Sequence, residues 1–149
     1  MQEENNIIKI LPYLYVTEKY DNDILNYSNI KNIISINDNI KKLELEHNIL
    51  NIYFDEHEML IKSDNIINID FESSNNFIYD SLKKREKVII YSKNLQLAGL
   101  LIVGFILKNL KMTSIDTIYI IYKLLRIDIN SITLRCIHTL FEYYKKLSK

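Results

Sequence analysis

The clearest pattern in the chain is a short apolar run, a polar interval and a long apolar segment within residues 87–107. Val88–Tyr91 is β-branched and aromatic and follows a charged segment, which predicts a buried strand entered from a solvated turn. Every residue from Leu97 to Leu107 is apolar or glycine, which predicts a helix packed on several sides. This segment is too short to cross a bilayer. A helix start directly after a strand offers backbone N–H groups that suit an anion.

This strand, loop and helix resemble those of the dual-specificity phosphatases, within the cysteine-dependent tyrosine phosphatases. In that family the strand ends in His-Cys, the loop follows the pattern HCxxGxxR, and a buried helix comes next. Here Tyr91 and Ser92 stand at His-Cys, Leu95 at the loop glycine and Ala98 at the arginine. Anchoring on the helix instead moves the match by one residue, to Tyr91 at the cysteine and Leu97 at the arginine.

The resemblance extends in order and spacing over about residues 7–147. The matching segments are an opening pair of strands at 7–16, strands at 29–37 and 48–55, a helix at about 66–82, a helix entry at 111–116, a degraded turn after Arg126, and a last helix with apolar residues at helical spacing. The resemblance implies an α/β fold, with a central, mostly parallel sheet of about five strands flanked by helices. We expect a single domain of this type over residues 1–149.

The residues that perform the family's chemistry are missing. The reaction needs a thiolate nucleophile and a guanidinium that grips two phosphate oxygens. Ser92 replaces the cysteine, and no arginine occurs between Arg85 and Arg126. We therefore expect a pseudophosphatase without enzymatic activity. Asp55 or the adjacent Glu56 is a candidate relic of the general acid, but a surface carboxylate is the favoured interpretation of both.

Two functions follow from this interpretation. The first is protein–protein binding, either to sequester a partner or to form part of an assembly. The second is a residual phospho-ligand reader at residues 92–98. An unrelated reaction in the same pocket ranks last, because no convergent acid, base or metal groups are recognisable. The loop consists of Ser92, Lys93, Asn94, Leu95, Gln96, Leu97 and Ala98.

Phosphate binding by this loop is expected to be weak or absent. Lys93 supplies one point charge, and its polar neighbours supply neutral donors. Leu95, however, removes the glycine that lets the backbone approach an anion, and Leu97 adds apolar bulk.

Other candidate residues favour structural roles. The single cysteine, Cys136, lies near Arg135 and His138 in the last predicted helix, but helical neighbours one or two positions apart face different ways. We interpret it as a small core residue. The run 55–58 contains three carboxylates and a histidine but no paired ligand motif, so we expect a solvated loop, no metal and no cofactor. Thr113 and Asp116 are expected to cap a helix start.

Composition narrows the class of partner. The formal net charge is zero and the pI is about 6.8, which gives no basic field for nucleic acid or an anionic membrane. One cysteine and a polar, acidic N-terminus favour a cytoplasmic, intracellular location. We expect a protein partner of unknown identity, with a homodimer as an open alternative. Core packing is the expected role of the tyrosines near the C-terminus, with an interface as the alternative: Tyr119, Tyr122, Tyr143 and Tyr144.

The chain contains only two glycines and one proline, and is rich in isoleucine, asparagine, lysine and tyrosine. This skew is typical of an A/T-rich genome, such as that of a parasite or a large DNA virus. Asparagine, aspartate and serine are therefore expected to form the turns, including one at Asn37.

Overall fold

The computed structural model describes residues 7–19, 30–37, 48–54, 70–128 and 134–147. These residues form an α/β fold with five strands and four helices. The strands are β1 (Ile7–Leu11), β2 (Leu14–Thr17), β3 (Asn32–Ile36), β4 (Asn48–Ile52) and β5 (Val88–Tyr91). The helices are α1 (Phe71–Lys83), α2 (Leu95–Asn109), α3 (Ser114–Leu124) and α4 (Leu134–Leu147).

The strands form one sheet in the order β1-β2-β5-β3-β4. Only β1 and β2 pair antiparallel, and the other neighbours are parallel. This confirms the predicted, mostly parallel sheet of five strands. Strand β5 lies at its centre, with Ile90 beside Val16 on one side and Ile34 on the other.

Helix α2 is the centre of the main core. All residues from Leu97 to Leu107 are buried, as predicted, and the helix extends two residues further at each end. It contacts α1, α3 and α4. Alternate strand residues, such as Val16, Ile34 and Ile90, join the same apolar cluster, since strand side chains alternate between faces. On the opposite face lies a second cluster, which comprises Ile30, Ile33, Ile89 and Tyr91.

The two glycines of α2 allow aromatic rings to pack against its backbone. A Cβ atom on Gly99 would lie 2.6 Å from the ring of Tyr122, and one on Gly104 would collide with the ring of Phe71. Tyr122 is completely buried, so its ring has no free space into which to move. Both glycines therefore fix how closely α2 approaches its neighbours.

Helix α1 begins at Phe71, with Asp70 as its N-cap. The Asp70 carboxylate accepts hydrogen bonds from the hydroxyl and the backbone N–H of Ser73, at 2.6 and 3.0 Å. The Ser73 hydroxyl and then its N–H lower the pKa of Asp70. The helix predicted over 66–82 is confirmed from this cap onward, while residues 66–69 lie outside the described part of the chain.

Cations occupy left-handed positions after three helices, where glycine is the usual residue, and Lys111 does so after α2 with φ 59°. Arg85 follows α1 with φ 58°, and Arg126 follows α3 with φ 62°. Their N–H groups donate to the carbonyls of Leu82 and Lys123, both at 3.0 Å. The next N–H groups donate to Ser81 and Tyr122. These pairs of hydrogen bonds are Schellman motifs.

We predict that Arg85→Gly stabilises the protein. The left-handed conformation destabilises a residue with a Cβ atom by roughly 1 kcal/mol or more. Glycine avoids this cost, but part of the gain is offset because glycine makes the unfolded chain more flexible. Arg85 is exposed, so little packing is lost. The free energy of unfolding, measured with urea, should rise by about 0.5–1 kcal/mol.

Lys84→Gly is the matched control, because Lys84 is also exposed but has φ −84° in the right-handed region. It should be neutral or destabilising. An equal effect of the two substitutions would contradict the role assigned to Arg85.

Candidate functional site

The candidate site lies where the parallel strands end. The carboxyl ends of β2, β3 and β5 meet at one edge of the sheet, where ligands bind in open α/β folds. Strand β5 leads into the loop 92–94, and α2 follows at once. The N–H of Ser92 donates to the carbonyl of Thr17 at 3.1 Å, which attaches the loop to the end of β2.

The hydroxyl of Ser92 forms part of the loop's own hydrogen bonding. It donates to the carbonyl of Asn94 at 2.7 Å and accepts from the N–H of Asn94 at 3.1 Å. Only 1% of Ser92 is exposed. Its hydroxyl therefore closes a local turn, as serine side chains do when they bond to nearby backbone.

Asn94 caps the start of α2. Its backbone is extended, with φ −109° and ψ 103°, and its Oδ1 accepts from the N–H of Gln96 at 3.0 Å. Its carbonyl accepts from the N–H of Leu97 at 3.1 Å. A bound anion at a helix start is held by such N–H groups. The amides of Asn94, Gln96 and Leu97 are instead bonded to oxygens of the loop itself.

The remaining loop positions lie in the first turn of α2. Ala98 and Leu97, which stand at the family's arginine in the two alignments, are both completely buried in the main apolar cluster. Leu95 is half-buried and packs against the same cluster. The side chain of Lys93 is exposed. Lys93 is the sole cation among residues 92–98, so the only positive side chain of the loop faces the solvent.

A buried polar group lies below the start of α2. The hydroxyl of Tyr122 donates to the carbonyl of Gln96 at 2.9 Å, and Sγ of Cys136 lies 3.7 Å from Oε1 of Gln96. Neither Tyr122 nor Cys136 is exposed. Burial, and then the neighbouring Cys136, raises the pKa of Tyr122 well above its usual value, so the phenol keeps its proton.

The other sequence-derived candidates separate into two groups. Asp55 and the rest of the run 55–58 lie outside the described residues. Just before them, the N–H of Phe54 donates to Oδ1 of Asn37 at 2.6 Å, which ties this strand end to that of β3. Asn37 has φ 60°, the left-handed turn conformation expected of it. Cys136 is a buried core residue, and His138 is half-buried on the same helix.

Three residues form hydrogen bonds at this edge of the sheet that were not predicted from the sequence: Thr17, Asn37 and Tyr122. The position of Thr17 at the end of a strand was the available signal, because carboxyl ends converge in a parallel sheet. Nothing in the local sequence pairs Tyr122 with the carbonyl of Gln96, since the two residues lie far apart along the chain.

Among the described residues, no group of three or more His, Cys, Asp or Glu side chains is placed to hold a metal ion. A membrane-spanning helix would need a longer apolar stretch than any helix in the described ranges provides.

No protein-family model matches the sequence, and no curated protein matches it. Solved structures do match. The human tyrosine phosphatase-like serine/threonine/tyrosine-interacting protein superimposes with a TM-score of 0.74 at 20% identity, over 96% of this chain and 98% of that one. A leucine-rich repeat and phosphatase domain containing protein from Entamoeba histolytica gives 0.69 at 20%, over 96% and 93%. PTPMT1 in complex with PI(5)P gives 0.75 at 12%, over 97% of each chain.

The chain has a dual-specificity phosphatase-like fold. The identities are low, so the likeness establishes the fold and leaves the chemistry to the residues present. On this phosphatase-like fold, the loop between β5 and α2 carries Ser92 and Ala98 at the positions that the sequence match assigns to the nucleophile and the arginine. Both side chains are buried.

We predict that Ser92→Ala destabilises the protein by about 1 kcal/mol, because the substitution removes both hydrogen bonds between the hydroxyl and Asn94. The Asn94 amide should also exchange its hydrogen faster. Urea unfolding and amide exchange measured by NMR check these two effects.

Ser74→Ala is the matched control. Ser74 is equally buried, but its hydroxyl donates to the carbonyl of Phe71 within helix α1. Removal of this hydroxyl therefore leaves no N–H group of the loop without its hydrogen-bond acceptor. If both variants behave alike, the turn-forming role of Ser92 is wrong.

Proposed function

We propose that this protein is a catalytically inactive pseudophosphatase that acts by binding another protein, to sequester it or to take part in an assembly. The observation that carries the proposal is the hydrogen bonding of the loop at 92–98. Its nucleophile position, its helix cap and three of its amides bond within the loop.

The position of the nucleophile supports the loss of activity. Phosphatase chemistry of this type needs a group ionised at neutral pH, and a thiolate meets this need at a helix start. The hydroxyl of Ser92 instead donates to the carbonyl of Asn94, which is not a base. Cys136 has the right sulfur but is completely buried within α4. The covalent route therefore lacks an accessible nucleophile.

The position of the arginine supports the same conclusion. A guanidinium in the loop binds two phosphate oxygens and follows the charge into the transition state. Losing one such donor removes about 3 kcal/mol of transition-state stabilisation, roughly a hundredfold in rate. Ala98 and Leu97 supply no side-chain donor, and both side chains are completely buried.

The alternative is a phospho-ligand reader at residues 92–98. Exposed Lys93 beside the start of a helix without acidic residues in its first turn favours it. The engaged amides of Asn94, Gln96 and Leu97 weigh against it, because an anion would have to displace bonds that the loop already makes. We therefore rank protein binding first.

Two further points support a binding role. One solved structure with this fold is named as a tyrosine phosphatase-like interacting protein, so a protein with the same fold carries interaction in its name.

The single cysteine of this chain suits a reducing compartment, and we assign the role to the cytoplasm on that basis.

We predict that the purified protein neither hydrolyses p-nitrophenyl phosphate between pH 5 and 8 nor binds a phosphotyrosine peptide. The reason is the missing thiolate and guanidinium. Turnover is followed by absorbance and peptide binding by calorimetry. Cys136→Ser is the control for turnover, because it removes the chain's single thiol while leaving the loop unchanged.

Turnover that Ser92→Ala or Cys136→Ser abolishes would refute inactivity. If the protein binds the phosphotyrosine peptide and Lys93→Gln abolishes that binding, the phospho-ligand reader would replace protein binding as the proposed function. Absence of both leaves protein binding as the supported role.

A further inference from the structure

The exposed apolar residues of this protein are concentrated in one segment. Eight large hydrophobic side chains are exposed among the described residues, and five of them lie within residues 110–124. The three elsewhere are all tyrosines, whose polar tips tolerate water. Among the described residues, all the exposed aliphatic side chains therefore lie within residues 110–124. The five exposed hydrophobic residues of this segment are Leu110, Ile115, Tyr119, Ile120 and Leu124.

Helix α3 presents four of these residues on its outer side. Ile115 and Tyr119 are four positions apart, and so are Ile120 and Leu124, so each pair forms a stripe along the helix. Ile115 is 68% exposed, although it could have been polar at no cost to the core. The opposite side of α3 packs into the main cluster through Ile118, Ile121 and Tyr122. These exposed apolar side chains form two separate stripes, and their concentration on one helix favours an interaction site.

Charge along the segment that contains these residues is unbalanced. Residues 108–128 contain four cations, all exposed, and two carboxylates, whereas the whole chain has a net charge of zero. The carboxylate of Asp116 already accepts a hydrogen bond from the hydroxyl of Thr113 at 2.8 Å. Thr113 is the N-cap of α3, but its side chain makes no cap hydrogen bond to the helix backbone, so the prediction is confirmed in position only. The cations are Lys108, Lys111, Lys123 and Arg126.

We propose that the α3 surface, defined as Leu110, Ile115, Tyr119, Ile120 and Leu124 with the four cations of the same segment, docks a partner segment whose aliphatic side chains are bordered by aspartate or glutamate. The inference rests on the proposed binding function and specifies where and what the protein binds. Apolar side chains supply the buried area, and the cations select an acidic border.

The same observations disfavour two other occupants. In a two-fold symmetric dimer, the α3 surface of one copy would face the α3 surface of the other, so the excess positive charge of residues 108–128 would meet the same charge. A membrane would need a continuous apolar face, whereas Asp116 and Lys123 separate the two stripes.

Helix α1 offers a close match for a control. On α3, Tyr119 is 53% exposed and the ammonium of Lys123 lies 5.7 Å from its ring centre. On α1, Tyr79 is 49% exposed and the ammonium of Lys83 lies 6.0 Å from its ring centre. The two tyrosines share residue type, exposure, helical setting and neighbour, and differ in the surface around them.

The test uses three helical peptides with the same leucine pattern, bordered by glutamate, glutamine or lysine. Each is titrated into the full chain with labelled isoleucine and leucine methyl groups. We expect the glutamate peptide to shift the methyl signals of Ile115, Ile120 and Leu124, and to bind most tightly. The combined variant Tyr119→Gln, Ile120→Gln should weaken this binding about tenfold or more, whereas Tyr79→Gln should leave it unchanged.

Other outcomes overturn the proposal. Equal binding of the lysine peptide, shifts confined to other surfaces, or no binding of any peptide would each reject the acidic partner. Self-association by sedimentation that the combined variant abolishes would assign the surface to a second copy. Anionic vesicle binding abolished in the same way would assign it to a membrane. None of these results alters phosphatase turnover or phosphopeptide binding, so failure here is distinguishable from failure of the proposed function.

Discussion

The start of helix α2 determines what this molecule can do. A helix that begins after a strand leaves N–H groups without helical partners, and a phosphatase loop uses such groups to hold an oxyanion. In this chain the side chain and carbonyl of Asn94 accept two of them, while Ser92 accepts a third. These three N–H groups are therefore satisfied by short-range bonds that need no ligand.

The stability of the fold does not depend on this loop, because it comes from apolar burial elsewhere. Helix α2 is buried between the sheet and three helices, and apolar burial is indifferent to the chemistry of the preceding loop. The close approach of Tyr122 to Gly99 fixes the position of the helix, and the Tyr122 hydroxyl satisfies the carbonyl of Gln96. A scaffold built in this way can lose its reaction and retain its surface.

The sequence predicted the parts of the fold that depend on long apolar patterns. Strand β5 and the central helix follow from the runs Val88–Tyr91 and Leu97–Leu107, whereas the mostly parallel sheet was implied by the family resemblance. The cap at Asn94 was not predicted, although asparagine directly before an apolar helix is a common N-cap. Serine at position 92 and alanine at position 98 are visible in the sequence, whereas the hydrogen bonds that Ser92 forms are not.

Other features depend on tertiary context. Arg85 and Arg126 take the left-handed positions that glycine normally fills, and the glycine-poor sequence pointed instead to asparagine, as at Asn37. The exposure of Ile115 and Ile120 was equally hidden, because an apolar residue in an amphipathic helix is normally assigned to the core.

Amide hydrogen exchange in the loop tests the central claim most directly. It is measured by NMR for Asn94, Gln96 and Leu97, with and without millimolar inorganic phosphate. Our account predicts that these amides are protected without phosphate, and that phosphate changes neither their exchange rates nor their chemical shifts. Unprotected amides that become slow, or saturable shifts centred on residues 92–98, would show that the loop is an open anion site and would contradict the account.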